Sequence, residues 1–252
     1  MMVRTLLLAL FAGNVFAAAG PATEVATLPA VLDWSGRVSL TLPVAGVIEQ
    51  VNVQAGQVVK KDELLATLNP TLFKAGVAEA RADLDRLTQE EADATRDLDR
   101  VKELYARTVS STTELDAAKL RHARAQAGLA AAQARLEKAR RLLAESELRA
   151  PFDGVVLARH GEPGLVITSP CQPAAVVSLA RADEWLVRAT LDAAQAAGVR
   201  LGDKASVQVA GKTLAGQIRA LTAQPEGRAQ VDIALPRSPG TYAGQAASIR
   251  LR

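Results

Sequence analysis

The six residues Pro43-Val44-Ala45-Gly46-Val47-Ile48 return 108 positions later as Pro151-Phe152-Asp153-Gly154-Val155-Val156. Each copy has a second glycine ten residues after the first, Gly56 and Gly164, followed by the matching pairs Val58-Val59 and Val166-Ile167. Two half-motifs with one internal spacing, held apart by a long charged and alanine-rich segment, read as a single small β domain split by an insertion. The runs are β in character. Val47 to Val53, Val58-Val59 and Leu64 to Leu68 are short and separated by turns such as Ala55-Gly56-Gln57, where glycine admits positive φ at little cost. Before them Val38, Leu40 and Leu42 alternate with Arg37, Ser39 and Thr41, the pattern of a half-buried strand. The first half of this flattened sandwich is expected over 36–69 and the second over 147–170.

The insertion, 70–146, carries a different period. Asn69-Pro70 has the form of a helix start, with Asn as N-cap and Pro at the first helical position, where its missing N–H costs nothing. In the first helix Val77, Ala80, Leu84, Leu87, Glu91, Ala94, Leu98, Val101 and Tyr105 are spaced alternately three and four apart. Leu115, Ala118, His122, Ala125, Leu129, Ala132, Leu136, Ala139 and Leu143 keep that rhythm in the second. A 3.5-residue period predicts knobs-into-holes packing, and the short link Arg107 to Ser110 makes the helices antiparallel. Each helix of roughly 36 residues is then about 54 Å long, so the insertion is a rod. Folding the seam symmetrically about its tip sets Glu91 against Leu129 and His122 against Leu98. The two polar residues are therefore expected to reach water at the interface edge without meeting.

Composition narrows the class. Aromatic residues are 3% of 252, which suggests an elongated molecule with thin cores. The net charge is +3 with both signs finely interspersed, which argues for solvated surfaces and against a nucleic-acid partner. Arg4, the apolar run Leu6 to Ala12 and the small residues Ala17 to Ala19 form a secretory signal over 1–19, cleaved after Ala17 or Ala19 or kept as an anchor. Cys171 has no intrachain partner, and His160 is the only histidine besides His122. No ligand set for a metal or cofactor is readable, nor any arrangement of nucleophile, base and oxyanion donors. Residues 20–35 read as a lead-in with a possible strand from Val25 to Val38. Past Pro170, over 171–252, short strands at 176–179, 184–191, 205–209, 214–221, 229–235 and 246–251 alternate with glycine or proline turns. A short helix is expected from Asp192 to Val199.

The split β domain resembles the biotinyl/lipoyl type, with the rod where a carrier would present its modified lysine. With the hairpin, the spacing of Arg100, Leu104 and Ser111 and the phrase Leu148-Arg149-Ala150-Pro151-Phe152-Asp153-Gly154-Val155-Val156, the chain resembles the periplasmic adaptors, or membrane fusion proteins, of tripartite efflux systems. The resemblance implies an α+β, elongated, modular fold: a split lipoyl-type domain with turn glycines Gly46, Gly56, Gly154 and Gly164, an inserted antiparallel coiled-coil hairpin and a small β-barrel. It implies a non-catalytic adaptor without cofactor, located in the periplasm and self-associating as a ring. Arg100, Leu104 and Ser111 would dock a TolC-like outer-membrane channel, and the inner-membrane partner would be an RND transporter ahead of an ABC or MFS one. Ser111-Thr112-Thr113-Glu114 also has the form of a capping box, a role compatible with docking. Three departures stand out. Asp62 replaces a usual glycine and suggests a different turn geometry, the stretch between Gly36 and Gly46 is short, and the membrane-proximal domain of the family is expected to be absent, which would leave pump contact to the barrel or to another subunit. A coiled-coil scaffold or chaperone unrelated to transport is the other reading.

Overall fold

The structure is a computed structural model and describes residues 27–168 and 174–251. The signal segment, Cys171 and the start of the lead-in lie outside them. The repeated halves interlock. The strands β3 (Gly46–Val51) and β7 (Gly154–Arg159) begin on the two repeat glycines, and β4 (Val58–Val59) and β8 (Val166–Ile167) follow their turns. Each first strand pairs with the other half's second: Gly46 lies opposite Ile167, and Gly154 opposite Val59. The loop hydrogen bonds repeat the exchange. Gly56 N–H donates to Val156 O and Gly164 N–H to Ile48 O, both at 2.8 Å. With β2 (Val38–Leu40), β5 (Leu64–Leu68), β6 (Glu147–Arg149) and β9 (Val177–Arg181), two four-stranded sheets result, ordered β6-β5-β3-β8 and β2-β9-β7-β4. Between them Ile48, Val59, Leu65, Leu68, Val156 and Leu179 are buried in one core.

The rod grows from this socket. Helix α1 (Thr71–Ala106) has 36 residues and α2 (Thr112–Glu145) has 34, with buried Leu87 and Leu98 facing a seam whose buried α2 positions are Ala118, Ala125, Ala132 and Leu136. Alanine there lets the two backbones approach closely. The Asn69 side chain accepts from Thr71 N–H at 3.1 Å, the capping bond expected of it, although the regular helix is counted from Thr71. Its foot is clamped: Leu68 N–H donates to the carbonyl of buried Ser146 at 2.9 Å, and β5 pairs with β6 immediately beyond. Among the described residues no helix is long and apolar enough to cross a membrane.

Strands β1 (Thr27–Trp34), β10 (Glu184–Leu191), β11 (Lys204–Val209), β12 (Lys212–Ala223), β13 (Ala229–Pro236) and β14 (Ala246–Leu251) close into an antiparallel barrel in the order β1-β10-β13-β12-β11-β14. Its core holds Leu32, Trp185, Val187, Val207, Ile233 and Ile249. The chain's two tryptophans meet here with centroids 4.6 Å apart, and the Arg237 guanidinium lies over both rings at 5.6 and 5.3 Å. The helix expected at 192–199 is the shorter α3 (Ala193–Ala197), capped by Asp192. Two connections join barrel and sandwich, and they are tied together: the buried Ser35 hydroxyl donates to Glu184 Oε1 at 2.6 Å, and Arg181 N–H donates to Ser35 O at 2.9 Å. Burial opposes ionisation of Glu184, but the Ser35 hydroxyl and the Arg219 guanidinium outweigh it and hold the carboxyl below the usual Glu range.

Two expectations need correction. Asp62 does not signal a different turn, because its φ of 65° lies in the left-handed region that glycine supplies and Asp tolerates better than most residues. Its N–H donates to Ala150 O at 2.8 Å, so pairing with the second half holds it there. The four repeat glycines are also not all turn glycines. Gly56 and Gly164 are, at φ 87° and 90° with open space around them. Gly154 instead starts a strand where a Cβ would sit 2.7 Å from Ala180 O, and Gly46 starts one where it would sit 3.0 Å from Leu68 Cδ1. Gly154→Ala should therefore cost about 1–3 kcal/mol by overpacking, and Gly56→Ala only roughly 1 kcal/mol from backbone strain. Urea unfolding of both variants checks the order.

Candidate functional site at the hairpin tip

The end of α1 is closed by its own backbone. Val109 N–H donates to Leu104 O and Thr108 N–H to Tyr105 O, both at 2.9 Å, the bonds of a Schellman motif. Thr108 is the left-handed residue of that motif at φ 59°, a position usually given to glycine and costly for a β-branched side chain. The chain then enters α2 through the expected capping box: Glu114 N–H donates to Ser111 Oγ at 3.2 Å, and Ser111 N–H donates to Glu114 Oε2 at 2.9 Å. The Ser110 hydroxyl donates to the same oxygen at 2.6 Å. That hydroxyl, with the Ser111 N–H, holds the Glu114 carboxyl below its usual range. A five-residue link is thus fixed at both ends.

Beside it lies a groove of about 360 Å³ lined by Val101, Leu104, Val109, Ser110, Glu114, Ala117 and Arg121. Leu104 is 37% exposed and Val109 72%, and they form an apolar lip. Tyr105, expected in the seam, is 40% exposed. Of the three docking candidates, Leu104 lines the groove, Ser111 sits at the start of α2, and Arg100 stands exposed one turn before Leu104, paired with Asp97. Asp97 also takes Arg121 of α2 at 2.8 Å and so bridges the helices behind the tip. Sequence reasoning missed Val109, because nothing marks Thr108 as the turning residue.

Farther down the seam a second expectation fails. Glu91 Oε1 lies 3.5 Å from His122 Nε2 and accepts from Thr95 Oγ1 at 3.0 Å, so the two polar seam residues do meet. The Asp97–Arg121 and Asp83–Arg135 pairs bridge the same two helices on either side of this contact. Asp83, bonded by Arg86 and Arg135, and Asp97, bonded by Arg121 and Arg100, both titrate below the usual Asp range.

The family model described as CzcB-like, barrel-sandwich hybrid domain matches residues 37–177, more than half of the chain. The chain belongs to this family. Two curated relatives of this CzcB-like protein come from Escherichia coli. The uncharacterized protein YdhJ is 36% identical over 120 residues, 48% of this chain and 42% of the relative. The multidrug resistance protein MdtA is 32% identical over 126 residues, 50% of this chain and 30% of the relative. The CzcB-like chain thus spans less than half the length of the curated relatives it matches. In fold it is similar to the membrane fusion protein Spr0693 of Streptococcus pneumoniae, with a TM-score of 0.71 at 14% identity over 90% of this chain and 98% of that one. The expected architecture is therefore the observed one: sandwich, hairpin rod and barrel.

Two changes probe the tip. Thr108→Gly removes the strained Cβ and should raise stability by roughly 1 kcal/mol, read as a higher urea midpoint at unchanged slope. Asp97 is held ionised in the folded hairpin, so its contribution is present above the ordinary Asp pKa of about 3.9 and fades as pH falls through the lowered folded value. Asp97→Asn should lower the thermal midpoint at pH 7 and shrink the further loss on acidification, measured by helical circular dichroism.

Proposed function

We propose that this protein is a periplasmic adaptor that joins an inner-membrane transporter to a TolC-like outer-membrane channel in a tripartite efflux system. The observation that carries the reading is the rod itself, about 54 Å of antiparallel helix clamped at its foot and ending in a closed tip with an apolar lip. Such a shape has a positional use: it carries a small recognition surface far from the body that anchors it. Membership of the CzcB-like family and the likeness to a multidrug resistance protein support transport over a free scaffold. Arg100, Leu104 and Ser111 are the docking residues of this reading, and the repeat glycines serve the socket.

The inner-membrane partner we assign from the adaptor resemblance is an RND transporter, ahead of an ABC or MFS one. A single rod encloses no channel, so the adaptor works as a ring of copies. A groove of about 690 Å³ on the hairpin flank, where Glu79 and Lys138 lie beside the paired Asp83, Arg86 and Arg135, is the face this reading gives to a neighbouring copy. Crosslinking from barrel and tip, with identification of the captured proteins, tests the transporter class. For docking, Arg100→Asp and Leu104→Asp should each cut export at least tenfold while helix content stays at the parental value. Normal export by a normally folded Leu104→Asp protein rules the docking role out.

A further inference from the structure

The tip residues do not stand equal in their freedom to touch a partner. At Ser111 the hydroxyl oxygen accepts from Glu114 N–H at 3.2 Å and the backbone N–H is spent on Glu114 Oε2 at 2.9 Å. Ser110 adds its own hydroxyl to that carboxylate at 2.6 Å. Ser111 therefore spends its polar groups on fixing where α2 starts. Val109 is the reverse case. Its backbone is pinned through the bond to Leu104 O at 2.9 Å and by the left-handed Thr108 before it, yet its side chain is 72% exposed at the rim of the groove. A β-branched side chain has a restricted χ1, so a valine on a fixed backbone is rigid before any partner arrives and loses little entropy on binding.

We infer that Val109 is the apolar knob that enters the docking partner, and that Ser111 is a positioning residue that acts through the capping box on the Thr108–Ser110 link. The partner surface this fits is an apolar recess at the end of the outer-membrane channel, deep enough for a valine. The inference rests on the docking reading above and divides its labour: Leu104 and Val109 supply contact, and the box keeps both in place. Thr108 belongs to the positioning set too, since without its left-handed turn the link would not bring Val109 beside Leu104.

The test uses the full chain in cells that assemble the complex, with a photoreactive residue at exposed Arg107 and the yield of adduct with the outer-membrane channel as readout. Val109→Ser should lower the yield on the order of tenfold, as loss of one buried apolar side chain implies. Ser111→Ala should lower it as well, whereas Ser111→Asn, which removes the hydroxyl but caps as well as serine, should restore it to within twofold. Hydrogen exchange at the Glu114 amide supplies the second readout, with protection lost in Ser111→Ala and kept in Ser111→Asn and Val109→Ser. The inference is overturned if Val109→Ser captures normally, or if Ser111→Asn fails like Ser111→Ala while Glu114 stays protected, which would make Ser111 a contact. Failure of the docking reading itself looks different: no adduct forms from Arg107 in the parent, or Leu104→Asp leaves the yield unchanged.

Discussion

The exchange of strands between the two repeat halves is the constraint on which the rest of the molecule depends. Gly46 opposite Ile167 and Gly154 opposite Val59 join segments about a hundred residues apart, and each half completes the other's sheet. Neither sheet stands without both halves. One consequence is that the two ends of the insertion are brought together by the sandwich, with Leu68 bonded to Ser146 and β5 paired to β6 at the foot of the rod. The entropy of closing a long insertion grows slowly with its length and is offset further when the insertion pairs with itself. An antiparallel hairpin meets that demand, because its two ends lie side by side by construction.

The rod is thin, and its stiffness comes from several modest sources. Alanines on the α2 seam bring the backbones close and leave the larger apolar contacts to Leu87, Leu98 and Leu136. Ion pairs bridge the helices outside the seam, at Asp83–Arg135 and Asp97–Arg121, and the Glu91–His122 contact adds a polar link within it. Exposed pairs of this kind are each worth little. They tie the two helices together at two levels along the rod, outside the apolar seam.

Much of this was legible beforehand, for a physical reason. Helix and strand periods depend only on which side chains face apolar surroundings, so the heptads of α1 and α2 and the alternation before Gly46 show in the chain itself. Capping is equally local, and both the Asn69 bond and the Ser111–Glu114 box follow from residues within three positions of one another. The misreadings are of two kinds, long-range contacts and one local turn that its residues do not announce. Asp62 adopts a glycine-like φ because the second half of the domain bonds its N–H. Glu91 and His122 meet because their side chains reach along the seam as well as across it, which a level-by-level pairing of the heptads does not capture. Val109 became part of the tip through a left-handed Thr108, a conformation that glycine announces and threonine does not.

The sequence by itself determined the modules, since the repeat of Gly46 and Gly154, the 3.5-residue seam and the glycine-punctuated strands each express a local period. It also placed Arg100, Leu104 and Ser111 near a turn. Only the tertiary structure decided how the halves exchange strands, which glycines relieve strain and which make room, and which tip side chains are free. The exchange and the crowding at Gly154 depend on atoms far apart in the chain coming within about 3 Å, and contacts of that kind have no signature in residue order, while the tip depends on a left-handed turn that its threonine does not announce.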